Sequence, residues 1–236
     1  VTLLEKNEKL GKKVFITVKG RCNITNDSDV ENLLQHTIRN PRFLYSAFYT
    51  FDSSRMMEFL ESEGLRIKTE RGNRVFPLSD HSSDVIKTLE KAMKKRGVTI
   101  RLHTKVLEIL VQDGRCCGVV VQKTQGGTKE TLSADAVIAA TGGVSYPSTG
   151  STGDGLRFAK ELGHRIVDVM PSLVPFEIRE DFCQRMQWLS LKNGSLKMLK
   201  GKKVLYEELG EMLFPHFGIS GPLVLSASCH FTKPED

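Results

Sequence analysis

Apolar positions recur along this chain with two periods, and the places where the period changes mark out its elements. Residues 1–4 are an apolar run that stops at Glu5. A polar loop with Gly11, Lys12 and Lys13 comes next, then a second apolar run at residues 14–16. Pro41 opens a predicted helix through Phe43, Leu44, Ala47 and Phe48. Asp52 is placed to cap the next helix, whose stripe is Met56, Met57 and Leu60 and whose stop is Gly64. Residues 65–68 and 74–76 read as two short strands joined at Arg71-Gly72-Asn73. Ser83 or Asp84 caps an amphipathic helix with Val85, Ile86, Leu89, Ala92 and Met93 on one face, ended by Gly97. The strand at residues 98–102 is then expected to run parallel to the first, because a crossover helix separates them.

Alternation takes over beyond residue 104. Residues 105–111 and 116–122 flank Asp113-Gly114, a strong hairpin signal, and Gln125-Gly126-Gly127 turns the chain again into residues 128–132. Residues 136–140 are uniformly apolar, as a parallel strand buried on both faces must be. Residues 145–155, SYPSTGSTGDG, form a glycine-rich loop that leads into a helix with Leu156, Ala159 and Leu162. The character changes at Pro171. Short β-like segments at 174–178, 195–199, 203–208 and 211–214, with turns at Asn193-Gly194 and Gly201, predict a small β-rich unit. A helix is expected after Gly221, capped at Ser220 with Pro222 in its first turn. The predicted organisation is α/β: a Rossmann-like domain with a three-strand meander over residues 1–172, and the start of a β-rich substrate domain over 173–236.

Composition changes little in this picture. Hydrophobic residues make up 39% of 236 and charged residues 26%, ordinary for a globular chain. No apolar run approaches the ~20 residues that span a bilayer. The net charge of +6 comes from Lys+Arg 34 against Asp+Glu 28, with basic clusters at 87–96 and 197–203. An anionic partner and a solvated face both explain such clusters, and the first cluster lies opposite an apolar helical stripe, which favours the second. The five cysteines have neither C-x-x-C nor zinc-ligand spacing, so no metal is expected and a reducing cytoplasm fits. Cys116 and Cys117 are expected to point to opposite faces of a strand and pack there.

The candidate chemistry lies where apolar runs end. An acid at the carboxyl end of a strand accepts hydrogen bonds from ribose hydroxyls in nucleotide-binding α/β folds, although many buried strands also end in a solvated acid. The Gly-x-Gly-x-x-Gly turn that usually precedes such an acid would lie before residue 1, so the chain is read as starting on the second strand of a dinucleotide-binding fold. The stretch GKKVFITVKGRCNITN resembles the signature of the HI0933-like family of NAD(P)/FAD-dependent oxidoreductases. It departs from that signature at Val18, where the family has glycine and where a β-branched residue resists positive φ. RVFPLSD (74–80), the run 145–155 and GEMLFPHFGISGP (210–222) are similar to further motifs of the family, in the same order, and ATGG (140–143) resembles the second flavoprotein signature.

The resemblance implies FAD bound across the carboxyl ends of a parallel sheet. The implied cofactor residues are Glu5, Lys6, Gly11, Lys12, Lys13, Gly20, Arg21, Cys22, Asn23, Val106, Ala140, Thr141, Gly142, Gly143, Gly153 and Asp154. It also implies either NAD(P)H-driven reduction of an enone-like organic substrate or oxidation of a small amine; a small-molecule substrate and no nucleic-acid or membrane partner are expected. The alternative is a nucleotide- or RNA-binding module that keeps the fold without redox chemistry; the net charge supports it, and no RNA-type aromatic platform shows in the sequence. Cys22, His164 and His216 are the candidates for catalysis, and none carries a role from sequence alone.

Overall fold

The computed structural model describes residues 1–231 and divides into two compact units, Val1–Ile166 and Val167–Asp236. In the first, β1 (Thr2–Leu4) pairs in parallel with the strand after the long crossover helix. Between them the chain forms α1 (Lys12–Ile16), a 3₁₀ turn at Thr17–Gly20, β2 (Thr25–Asn26), α2 (Val30–Gln35), α3 (Pro41–Thr50) and α4 (Ser53–Ser62). It continues through β3 (Ile67–Glu70), β4 (Arg74–Pro77) and α5 (Ser82–Lys95) to β5 (Thr99–Arg101). β4 sits centrally between β2 and β3, antiparallel to both.

Local chemistry explains most of these boundaries. Asp52 accepts from the Arg55 N–H and caps α4, while Gly64, at φ 93°, takes the left-handed position that ends it. The α5 cap differs from expectation. The helix begins at Ser82, no side chain caps it, and the Ser82 hydroxyl donates instead to the Phe15 carbonyl at 2.9 Å. Cys22, Leu60, Leu65 and Val85 form the buried core of this part, with Val14, Ile24, Met56, Phe59, Ile67 and Leu89 packed around them. The basic cluster on α5 is charge-compensated: Lys87 meets Asp84, Lys94 meets Glu90, and Lys95 and Arg96 both reach Glu63.

The meander is β6 (Thr104–Gln112), β7 (Arg115–Lys123) and β8 (Glu130–Ser133), in that order. Asp113 and Gly114 both have positive φ, as a two-residue type I′ loop demands. A register shift between Leu110 and Val111 leaves Cys117 without a partner on β6, and Cys117 is exposed and not packed as expected. The apolar run at 136–140 is another correction. It has no ladder, and Ile138 is 92% exposed. A strand exists through its neighbour's hydrogen bonds, and here the Ala140 N–H bonds only locally, to the Ile138 carbonyl. A 3₁₀ turn at Pro147–Thr149 and α6 (Asp154–Glu161) complete the unit.

The second unit contains β9 (Phe176–Glu177), α7 (Phe182–Arg185), β10 (Ser190–Lys200), β11 (Lys203–Leu213), β12 (Gly218–Ile219) and α8 (Pro222–Ser228). The β-like segments expected after residue 190 are in fact two long strands of 11 residues in one antiparallel hairpin. Asn193-Gly194 is a bulge inside β10 rather than a turn: pairing jumps from Leu191↔Met212 to Gly194↔Gly210. Ser220 does not cap α8. It makes a bridge with Leu213, and Gly221, at φ 99°, stands at the cap with Pro222 after it. Cys183, Tyr206, Met212, Phe214, Leu223, Val224 and Ala227 form the core of this unit. Among the described residues no helix is long and apolar enough to cross a membrane.

Candidate functional site

Polar side chains gather at the carboxyl end of β1. The parallel ladder continues past Leu4, because the Glu5 N–H donates to the Arg101 carbonyl at 3.0 Å. The Glu5 carbonyl then accepts from Thr104 at 2.9 Å, and the Asn7 carbonyl accepts from His103 at 3.0 Å. The chain leaving β1 is thus gripped by the β5–β6 connection, and the Glu5 side chain sits at the strand end. Its Oε1 accepts from the Asn7 backbone N–H at 2.8 Å and from Asn7 Nδ2 at 2.9 Å. Among the described residues none donates to Oε2.

The loop at 145–153 closes onto this end. Asn7 Nδ2 also donates to the Thr149 carbonyl at 3.1 Å, and Lys13 Nζ donates to the Ser145 carbonyl at 2.8 Å. Lys6 Nζ reaches Thr152 Oγ1 at 2.6 Å and Asp154 Oδ2 at 2.7 Å, with both charged side chains mostly buried. Burial pushes the Asp154 carboxyl up, but the Lys6 ammonium and the Thr152 hydroxyl outweigh it and hold it below the ordinary aspartate value. Glycines let the segments approach. Gly142 has φ 72°, and a Cβ there would lie 2.9 Å from Ser151 Oγ; a Cβ on Gly150 would lie 2.6 Å from Asn7 Nδ2. The Gly153 N–H donates to the Gly143 carbonyl at 3.1 Å, tying the loop to the 141–143 segment.

Glu5, Lys6, Lys13, Thr141, Gly142, Gly143, Gly153 and Asp154 are therefore brought together. Lys12 faces Glu8 at 3.4 Å, and Gly11 starts α1 in the left-handed region against Ile86. Val106 pairs with Val121 inside the meander. The bulge just after it frees the Leu107 carbonyl to accept from Arg157 of α6 at 3.1 Å. Ala140 lies in the run at 136–140 that makes no ladder.

Gly20, Arg21, Cys22 and Asn23 are held elsewhere, against β3 and β4. Arg21 donates through Nε and Nη2 to Asp80 Oδ1 at 2.9 and 2.6 Å, and through Nη2 to Glu70 Oε1 at 2.6 Å. Its guanidinium stacks 4.2 Å from the centre of the Phe76 ring. Lys68 completes the cluster by bonding Asp80 Oδ2 at 2.6 Å. Lys68 and Arg21 together hold the Asp80 carboxyl below its ordinary value, and Arg21 and Lys68 do the same for Glu70. Cys22 is buried, and that burial pushes its thiol up, away from a thiolate nucleophile. Asn23, with its amide oriented to suit its neighbours, donates to the Val75 and Thr25 carbonyls. None of the described contacts joins Arg21, Cys22 or Asn23 to residues 140–154.

The first unit thus has a parallel strand pair joined through a crossover helix, a three-strand meander and a glycine-rich segment returning to the carboxyl end of the first strand, and the chain matches a protein-family model. The model of the HI0933-like protein Rossmann domain covers residues 1–221. The chain belongs to the HI0933-like family. A 3-dehydro-bile acid delta(4,6)-reductase of Clostridium scindens is 32% identical to this HI0933-like chain, over 99% of it and 54% of that protein. A ribosomal RNA dihydrouridine synthase of Haemophilus influenzae is 29% identical over 100% of this chain and 56% of that protein. The chain thus spans about half the length of the curated relatives it matches. A solved flavocytochrome c3 fumarate reductase, in its open conformation, shares the fold with a TM-score of 0.54 at 21% identity, covering 81% of this chain and 42% of that one.

Sequence reasoning missed Asn7, Thr149, Ser151 and Thr152, whose roles emerge only once the distant loop arrives. It also gave no role to Glu70 and Asp80, although Asp80 closes the RVFPLSD motif.

Proposed function

We propose that this HI0933-like chain is the dinucleotide-binding part of an FAD-dependent oxidoreductase that reduces an unsaturated organic substrate with hydride from NAD(P)H. The observation that carries the reading is Glu5 at the carboxyl end of a parallel strand, facing a glycine-rich loop tied back to it. Ligands of open parallel sheets sit at that end. The residues present fit the group: Glu5 Oε2 is an open acceptor for a ribose hydroxyl, and nothing lies within 4 Å of a Cβ built on Gly143, so the backbone there is open to a close approach. The Lys6–Asp154 pair and Asn7 hold the loop against the strand end, where it would screen the ligand from water. Bound FAD would supply the two-electron chemistry. The relatives named as reductases support reduction over amine oxidation.

The test is direct. The full-length protein, purified and freed of small molecules, should retain FAD and show its visible absorbance, and anaerobic NADH or NADPH should bleach it. Glu5→Ala should weaken FAD retention by about 1.5 kcal/mol, as loss of hydrogen bonds to a charged acceptor does. A protein that takes up no flavin refutes the proposal.

A second reading, an RNA substrate, is favoured by one observation. On and around α3, Phe43 (84% exposed), Tyr45, Tyr49 and Phe51 stand in solvent near Arg42, the aromatic and basic mixture on which bases stack. Two relatives are named as ribosomal RNA dihydrouridine synthases. Quenching of Tyr fluorescence by single-stranded RNA, lost in Phe43→Ala with Tyr45→Ala, would support it; salt-insensitive absence of binding would remove it.

A further inference from the structure

Asn7 occupies a position that neither a ribose acid nor a loop anchor alone explains. Its backbone N–H and its Nδ2 both donate to the same oxygen, Glu5 Oε1, at 2.8 and 2.9 Å. Two donors on one oxygen fix the carboxylate's rotation and leave Oε2 as the acceptor that points away. The same Nδ2 donates its other hydrogen to the Thr149 carbonyl at 3.1 Å, 142 residues along the chain. Both hydrogens of one amide are thus spent, one on the strand-end acid and one on the loop. Gly150 packs directly on that nitrogen, so closely that a Cβ there would lie 2.6 Å away. The backbone of Asn7 is itself fixed, because its carbonyl accepts from the His103 N–H. The amide therefore has a rigid base, an acid on one side and the loop on the other.

We infer that Asn7 is a positioning residue that couples occupancy of Glu5 by a ribose to closure of the 145–153 loop. The inference rests on the proposed binding of an adenine dinucleotide at Glu5. A ribose hydroxyl donating to Oε2 holds the carboxylate in the rotation that Asn7 prefers. The held carboxylate in turn holds the amide in the rotation that engages Thr149. Coupling between two sites is reciprocal, so the closed loop strengthens ribose binding by the same factor. An asparagine is suited to this because its planar NH₂ offers two donors at a fixed angle, whereas serine offers one and aspartate none when ionised.

The experiment uses the full-length protein stripped of flavin, with ADP as the probe for the adenosine half and FMN as a probe that lacks it. Binding is measured by calorimetry, and amide hydrogen exchange is followed at Thr149–Gly153. In the wild type, ADP should slow exchange in that segment. Asn7→Asp keeps the size of the side chain but removes both donors. It should weaken ADP binding about tenfold, the factor expected for one lost charge-assisted hydrogen bond, leave FMN binding unchanged, and abolish the ADP-induced protection. Asn7→Ala should behave in the same way and guards against an effect peculiar to the added charge. If the wild type binds ADP and either folded variant keeps full ADP affinity or full loop protection, the coupling through Asn7 is overturned. If the wild type binds neither ADP nor FMN, the dinucleotide reading fails, and this inference with it.

Discussion

Val18 offers a decisive test of how the loop before Arg21 is built. Its backbone sits at φ 48°, ψ 47°, and Lys19 comes next at φ 54°, so two consecutive Cβ-bearing residues occupy the left-handed region. The turn is closed by the Arg21 N–H to the Val18 carbonyl at 3.2 Å and the Cys22 N–H to the Thr17 carbonyl at 3.4 Å. A residue with a Cβ costs about 1–2 kcal/mol in this region. Glycine escapes that cost but loses about 0.4–1 kcal/mol more entropy on folding than alanine. The midpoints of the two ranges favour glycine over alanine at position 18 by about 0.8 kcal/mol. At Lys91, an exposed position inside α5, alanine should instead win by about 1 kcal/mol. Comparing Val18→Gly with Val18→Ala removes the packing of the half-exposed valine from the difference, since both variants lose it. Scanning calorimetry should place the glycine variant about 1–4 °C above the alanine variant. The Lys91→Gly and Lys91→Ala pair should show the reverse order. Alanine outranking glycine at position 18 would mean that the loop is an ordinary helical turn and carries no strain.

The remaining predictions concern the charge clusters and one glycine. Arg21→Lys should lower the urea midpoint, because an ammonium cannot reproduce the fork shared by Asp80 and Glu70, while the flavin absorbance stays as it was; a spectral change at constant stability would put the fork on the cofactor instead. Asp154 has a folded pKa below its unfolded value, so its contribution is present above the unfolded value near 4 and is lost as pH falls through the folded one. Amide protection in residues 145–153, that is, exchange relative to the intrinsic rate at each pH, should therefore fall on acidification through that window in the wild type and show no such step in Asp154→Asn. Gly118→Ala should cost on the order of 3 kcal/mol, since its Cβ would overlap the Leu132 carbonyl of the neighbouring meander strand; soluble, fully stable protein would show that β8 pairs differently.

Much of the fold was legible because it depends on short-range rules. Asp52 and Gly64 bound α4 through capping, Asp113-Gly114 turns the hairpin because both residues accept positive φ, and the α5 stripe has the helical period. Glu5 at the end of an apolar run marks the strand end where Asn7 and Lys6 now meet the loop. Where the outcome depended on a partner far along the chain, the sequence was silent or misleading. Residues 136–140 have the composition of a strand, but a strand is made by its neighbour. Asn193-Gly194 has the chemistry of a turn and becomes a bulge, because β11 offers Gly210 opposite and the ladder resumes beyond it. Arg21 has the donors to meet a phosphate, yet Glu70 and Asp80 lie 49 and 59 residues away in sequence and within 3 Å in space. Periodicity, caps and turn residues report on a few neighbouring φ and ψ angles, and the chain itself determines those. Which carboxylate an arginine meets, or which carbonyl Asn7 holds, is set by contacts that only the packed tertiary structure brings within hydrogen-bond distance.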